Sequence, residues 1–158
     1  MILEFEKTLV DRTMAEEVIG PWRKVKGFGL STVAIKVPVF KITLNVMYGP
    51  YDEFKRFILH KFDHQIKHGS ANAIAVTFEH EKVRWNFINI QSCNWTAEEY
   101  GTLAHELHHT THFALEDLGA VYGSGGEEVY AYLQGYLMEL VVRAFVQLRK
   151  VEDKKKKK

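Results

Sequence analysis

Thr96-Ala97-Glu98-Glu99-Tyr100, followed by His105-Glu106-Leu107-His108-His109, is the stretch on which the reading of this chain turns. Thr96 with Glu99 three residues on forms a capping box, and Trp95 and Tyr100 occupy the flanking staple positions. A helix is therefore expected from Thr96 to about Asp117, ahead of Gly119. Leu103, Leu107, Ala114 and Leu118 recur at helical spacing and predict a stripe facing the core. His105 and His109 fall on roughly the opposite side. The helix thus has an apolar back and a polar front, the division that the floor of a cleft requires.

His105 and His109 stand four residues apart, so their imidazoles project about one turn apart from one face and can reach a single Zn²⁺. Glu106 flanks them, where a carboxylate can take a proton from a water held by the metal. A catalytic zinc needs a third protein ligand and one position left open. Downstream, Gly123-Ser124-Gly125-Gly126 breaks the chain, and Glu127-Glu128 opens a second long helix. Glu128, Ala131 and Gly135 share one face of it, where small residues would let two helices approach until one metal bridges them. Leu133, Leu137, Leu140, Val141, Ala144 and Leu148 form its core stripe, and Glu139 and Arg143 interrupt that segment as a membrane span.

These two helices resemble those of the zincin metallopeptidases of gluzincin type, with H-E-x-x-H on one helix, a loop, and a glutamate ligand on the next. Glu128-Val129-Tyr130-Ala131 matches the form in which the ligand is followed three residues later by a small residue. Glu127 is the fallback. The combination is also similar to small zincin-like proteins encoded by bacteriophages, over about the last third to half of the chain. The resemblance implies zinc held by His105, His109 and Glu128, and a small mixed sheet packed with the active-site helix and a long C-terminal helix. It also implies an edge strand beside the cleft, a place given to Val83 to Ile90, where a peptide could pair through its main chain. A plain structural strand is the other reading of that segment. The implied activity is peptide hydrolysis, with Glu106 as general base and Tyr130, Tyr132 or His112 as the oxyanion donor.

The departures are as informative. No glycine breaks the helix after His109, so the metzincin pattern of three histidines fails. His112 is two turns from His105, about 10 Å of rise, too far to share an ion comfortably. Tyr132 stands where thermolysin-like enzymes carry an aspartate that orients a ligand, which leaves Glu116, Asp117 or a carbonyl for that work. His108 and His112 read as supporting or solvated side chains. The alternative to an enzyme is a zinc-stabilised binding or structural protein, for a phage particle or host interference, with little turnover.

The chain has 158 residues, 46% of them hydrophobic, enough for one compact core, taken as residues 1–150. Lys154 to Lys158 outweigh the net charge of +1, so the body is slightly acidic, and 151–158 reads as a lysine-rich disordered tail with weak electrostatic pull on nucleic acid. Cys93 is the sole cysteine, which excludes an internal disulfide and points to a reducing, cytoplasmic setting, that of the host if phage-encoded. Met1 to Lys7 lack the apolar core of a signal peptide. The partners expected are peptide or protein substrates, not membranes.

The remaining pattern is that of an α+β domain. Thr13 to Ile19 reads as a short helix, Ser31 to Val37 and Phe40 to Tyr48 as strands, and Asp52 to Lys67 as a helix with Phe54, Phe57, Ile58, Phe62 and Ile66 inward. Ala73 to Phe78 and Val83 to Ile90 pair around Glu79-His80-Glu81-Lys82. In the second, the alternation changes phase at Phe87-Ile88, which requires a bulge or burial on both faces. His60, His64 and His68 would form a ladder along the middle helix, read as a solvated face.

Overall fold

The computed structural model describes residues 18–67, 72–120, 122, 123 and 125–156. Five strands make one mixed sheet: β1 (Arg23–Lys24), β2 (Ser31–Val37), β3 (Ile42–Tyr48), β4 (Ala73–His80) and β5 (Val83–Ile90), in the order β1-β2-β3-β5-β4. β3 and β5 run parallel, and the other neighbours are antiparallel. Three α-helices accompany it among the described residues: α1 (Tyr51–Phe62), α2 (Ala97–Asp117) and α3 (Glu127–Lys156). The expected mixed sheet, pentad helix and long C-terminal helix are all present.

Alternation along the strands sorts the side chains onto two faces. Val33, Ile35, Ile42, Leu44, Val46 and Ile88 join Leu103 and Leu107 of α2 and Leu133, Leu137 and Phe145 of α3 in one core. Met47, Ile74, Phe78 and Phe87 join Phe54, Ile58 and Phe62 of α1 in a second core on the opposite face. The sheet is therefore covered on both sides. All six positions of the expected α3 stripe are buried.

β5 is not an edge strand. It lies between β3 and β4, and β4 forms the edge. Its register runs unbroken from Ala73↔Ile90 to His80↔Val83, and Asn86 to Ile90 are all buried. The change of phase at Phe87-Ile88 is thus burial on both faces, the usual condition of a strand in a parallel pair. Asn89, fully buried, donates through Nδ2 to the carbonyls of Met47 and Gly49 at 3.1 and 3.2 Å, and so ties β5 to the end of β3.

Several boundaries move for local reasons. Pro38–Phe40 form a 3₁₀ turn closed by Lys41 at φ 51°, so β3 begins at Ile42 rather than Phe40. Gly49, at φ 141°, leads into α1, and a Cβ there would sit 2.5 Å from the Gly29 carbonyl oxygen, so only glycine fits. α1 stops at Phe62, five residues early, because Asp63 turns left-handed and returns its N–H to Leu59. His64 therefore leaves the helix and stacks on Phe78, which dissolves the histidine ladder. His68 and most of the expected helix at Thr13 to Ile19 lie outside the described residues, while Ile19 itself bridges to Ile35. Leu118 is 48% exposed because α2 ends just before it, and Leu115 takes its place in the core. α3 continues through Lys156, past the tail boundary at 150, where lysine and glutamate are good helix formers.

The start of α2 is fixed as its sequence implies. The Thr96 hydroxyl accepts from the Glu99 N–H at 3.2 Å, and the Glu99 carboxylate accepts from the Thr96 N–H at 2.9 Å. Trp95 stacks on Tyr100 with ring centroids 5.2 Å apart. Hydrogen bonds from Ser92, then from the Thr96 N–H, hold the Glu99 carboxyl below its ordinary value.

Thr96→Ala should therefore lower stability by about 1 kcal/mol in denaturant unfolding. Because the folded-state pKa of Glu99 is depressed, its contribution is complete above the ordinary carboxylate value of 4.5 and is lost as pH falls through the depressed one. Glu99→Gln should flatten that part of the stability–pH curve, and an unchanged curve would contradict the assignment. Leu137→Ala, at a fully buried position, should cost about 2–5 kcal/mol.

Candidate metal centre

α2 lies across the sheet with Leu103, Leu107, Thr110, Thr111 and Ala114 buried beneath it. Thr111 turns its hydroxyl onto the Leu107 carbonyl at 2.8 Å, which lets a polar residue sit on the buried side. The helix rotation that buries this back leaves His105, His108, His109 and His112 exposed along the front.

His105 and His109 converge. Their Nε2 atoms are 3.1 Å apart and their rings stand edge to face at 84°. Two nitrogens bound at about 2.05 Å to one tetrahedral zinc would be separated by about 3.3 Å. The observed separation is close to that value. Glu106 lies on the β4 side of the pair, with Oε1 4.0 Å from His105 Nε2. Its Oε2 accepts the main-chain N–H of Ala75 at 2.6 Å. Ala75 faces Ile88 across the β4–β5 ladder, and this N–H is turned away from it, towards the open side of the edge strand.

Glu128 is exposed in the first turn of α3. His108 faces Gln134 and His112 faces Tyr130, so α2 and α3 run antiparallel. Among the described residues, no three His, Cys, Asp or Glu side chains come together at metal-ligand spacing. Glu127 is also exposed and, seven residues before Gln134, shares its helix face, whereas Glu128 is turned about 100° from it with Ala131 and Gly135. Ser124, in the glycine loop that leads to them, lies outside the described residues.

A Cβ added at Gly135 would meet nothing within 4 Å. The small residues Ala131 and Gly135 are both exposed, so they do not serve to bring the two helices together. Of the expected oxyanion donors, Tyr130 is buried with its ring against His112 and Tyr122, while Tyr132 and His112 are exposed. The two ends of the Gln134 amide meet Ala104 and His108, a link with no signature in the sequence until the helices are paired. The Ala75 N–H is a main-chain group and equally silent in sequence.

Comparison of the chain with family models, with curated proteins and with solved structures finds no match. No helix is long and apolar enough to cross a membrane among the described residues.

Zinc titrated calorimetrically into metal-free protein should bind once per chain. His105→Ala and His109→Ala should each weaken binding at least a hundredfold, and His64→Ala should leave it unchanged. Equal loss in all three would mean scattered surface binding.

Proposed function

We propose that this chain is a zinc-dependent metallopeptidase of the zincin type, with a gluzincin-like arrangement of ligands. The observation that carries this reading is the convergence of His105 and His109 Nε2 at 3.1 Å, with the Glu106 carboxylate beside them and held by a main-chain N–H of the edge strand. His105, His109 and Glu128 would hold the metal, with Glu127 as the alternative carboxylate. A bound zinc would lower the pKa of water and polarise a peptide carbonyl.

The side chains account for the rest. Glu106 takes a proton from water and returns it to the leaving amine. Its hydrogen bond from Ala75 fixes one oxygen and leaves the other turned towards the histidines. An extended peptide is oriented by pairing with the free side of β4, which supplies affinity from main-chain groups and little sequence preference. Unstructured segments of proteins are the substrate class that suits such an edge. The setting is the cytoplasm, where the single Cys93 stays reduced.

One observation favours a second reading. Glu106 is already engaged by a main-chain N–H, as a purely structural carboxylate would be. Zinc would then serve to tie α2 to α3 in a binding protein with little turnover.

Glu106→Gln separates the two. Zinc stoichiometry should be kept, and hydrolysis of an unfolded protein should fall about a hundredfold or more. Glu128→Ala should weaken zinc binding and lower the zinc-dependent rise in melting temperature, and Glu127→Ala should do so less. The reverse order would exchange the two glutamates. Tight zinc binding without cleavage across a broad peptide library would favour the binding protein.

A further inference from the structure

Gln134 touches α2 through both ends of its amide. Nε2 donates to the Ala104 carbonyl at 2.9 Å, and Oε1 lies 3.2 Å from His108 Nδ1. The first contact determines the second. A main-chain carbonyl only accepts, so the amide nitrogen faces Ala104 and the amide oxygen faces His108. That oxygen has no proton to give, so a hydrogen bond to Nδ1 requires the proton on Nδ1. Neutral His108 then carries a bare lone pair on Nε2.

The position of this lone pair gives it a use. His108 is exposed on the α3 side of the front stripe, its ring centroid 6.3 Å from that of His109. Glu106 and β4 lie on the other side of the histidine pair. An imidazole nitrogen without a proton cannot stabilise an oxyanion, because it has nothing to donate. It can only meet a donor or a cation. Along any peptide lying against this exposed face of α2, the donors that recur regardless of sequence are the main-chain N–H groups.

We propose that Gln134 is a positioning residue that holds His108 in the Nδ1–H form, and that His108 Nε2 accepts a hydrogen bond from a main-chain N–H of a bound peptide. The second half rests on the peptidase reading; the first does not. One face of the peptide is then held by β4 and the other by a side-chain acceptor on α2. Gln134 thereby couples the register of the two helices to the geometry of substrate capture.

The tautomer is read directly from long-range ¹H–¹⁵N spectra of the full chain labelled at histidine, recorded where its imidazoles are neutral and assigned with His108→Gln. His108 should show a protonated Nδ1 and a bare Nε2. Gln134→Glu, which still presents an oxygen to Nδ1, should keep this pattern, and Gln134→Met should move the proton towards Nε2. A protonated Nε2 in the parent chain overturns the lock. If added zinc shifts His108 Nε2 as strongly as that of His105 and His109, the nitrogen is a metal ligand and the acceptor role falls. Binding is measured in the Glu106→Gln background with an unstructured peptide and its singly N-methylated analogues. One analogue should bind about tenfold more weakly than the parent peptide, and His108→Ala should erase that difference while leaving the others. Peptide binding with no analogue sensitive to His108 overturns the inference alone. Absence of any peptide binding overturns the peptidase reading instead, with the Gln134 lock still decided by the spectra.

Discussion

Burial of Leu103, Leu107 and Leu115 between the sheet and α3 sets the rotation of α2 about its axis, and the candidate site follows from that rotation. Each of these leucines is almost fully withdrawn from water, which stabilises the fold by roughly 1.5–3 kcal/mol per side chain. With the back so fixed, the helical period leaves His105 and His109 no choice but the open front, and Glu106 the flank next to β4. The capping box fixes the axial origin of the same helix. Position along the axis and rotation about it are thus determined by residues that do no chemistry.

A β-sheet edge is ordinarily a liability, because unpaired main-chain groups invite pairing with other chains. β4 is such an edge, and α2 manages part of it by presenting Glu106 to the Ala75 N–H. One contact thus satisfies an edge donor and orients a carboxylate beside two imidazoles. In the proposed peptidase the remaining free edge becomes the place where substrate is held, so the same exposure serves binding. The hairpin that delivers β4 to this position turns through Glu81 and Lys82 at φ 51° and 63°, without glycine. Two non-glycine residues in that region oppose the turn, and the eight paired positions of the β4–β5 ladder hold it closed.

What was legible in the sequence was whatever a local period or cap records. The α2 start, the buried α3 stripe and the alternation of β3 are all of this kind. Order in the sheet is not. β5 precedes α2 directly, and nothing in its residues says that β4, earlier in the chain, takes the edge; that follows from β3 and β5 pairing in parallel. The α1 end was hidden for a different reason. His64 follows His60, and Ile66 follows Phe62, at helical spacing, yet Asp63 tolerates the left-handed conformation that ends the helix. At the site, the histidine pair was legible because four residues span one turn, whereas Ala75 and Gln134 act through a main-chain group and a helix pairing that no short pattern contains.

The relation of the two glutamates to the histidines turns on the same pairing. Gln134 on Ala104 and His108, with Tyr130 on His112, fixes how far α3 has slid along α2 and hence where its first turn stands. Among the described residues neither glutamate completes a three-ligand group with the histidines. The glycines at 123, 125 and 126 adjoin that turn, and Gly123 and Gly125 hold positive φ. In the proposed peptidase a third ligand from that turn would contribute free energy that is also folding free energy for the start of α3. The two hydrogen bonds of Gln134, six residues after Glu128, anchor α3 to Ala104 and His108, so the placement of both glutamates follows from a contact that neither of them makes.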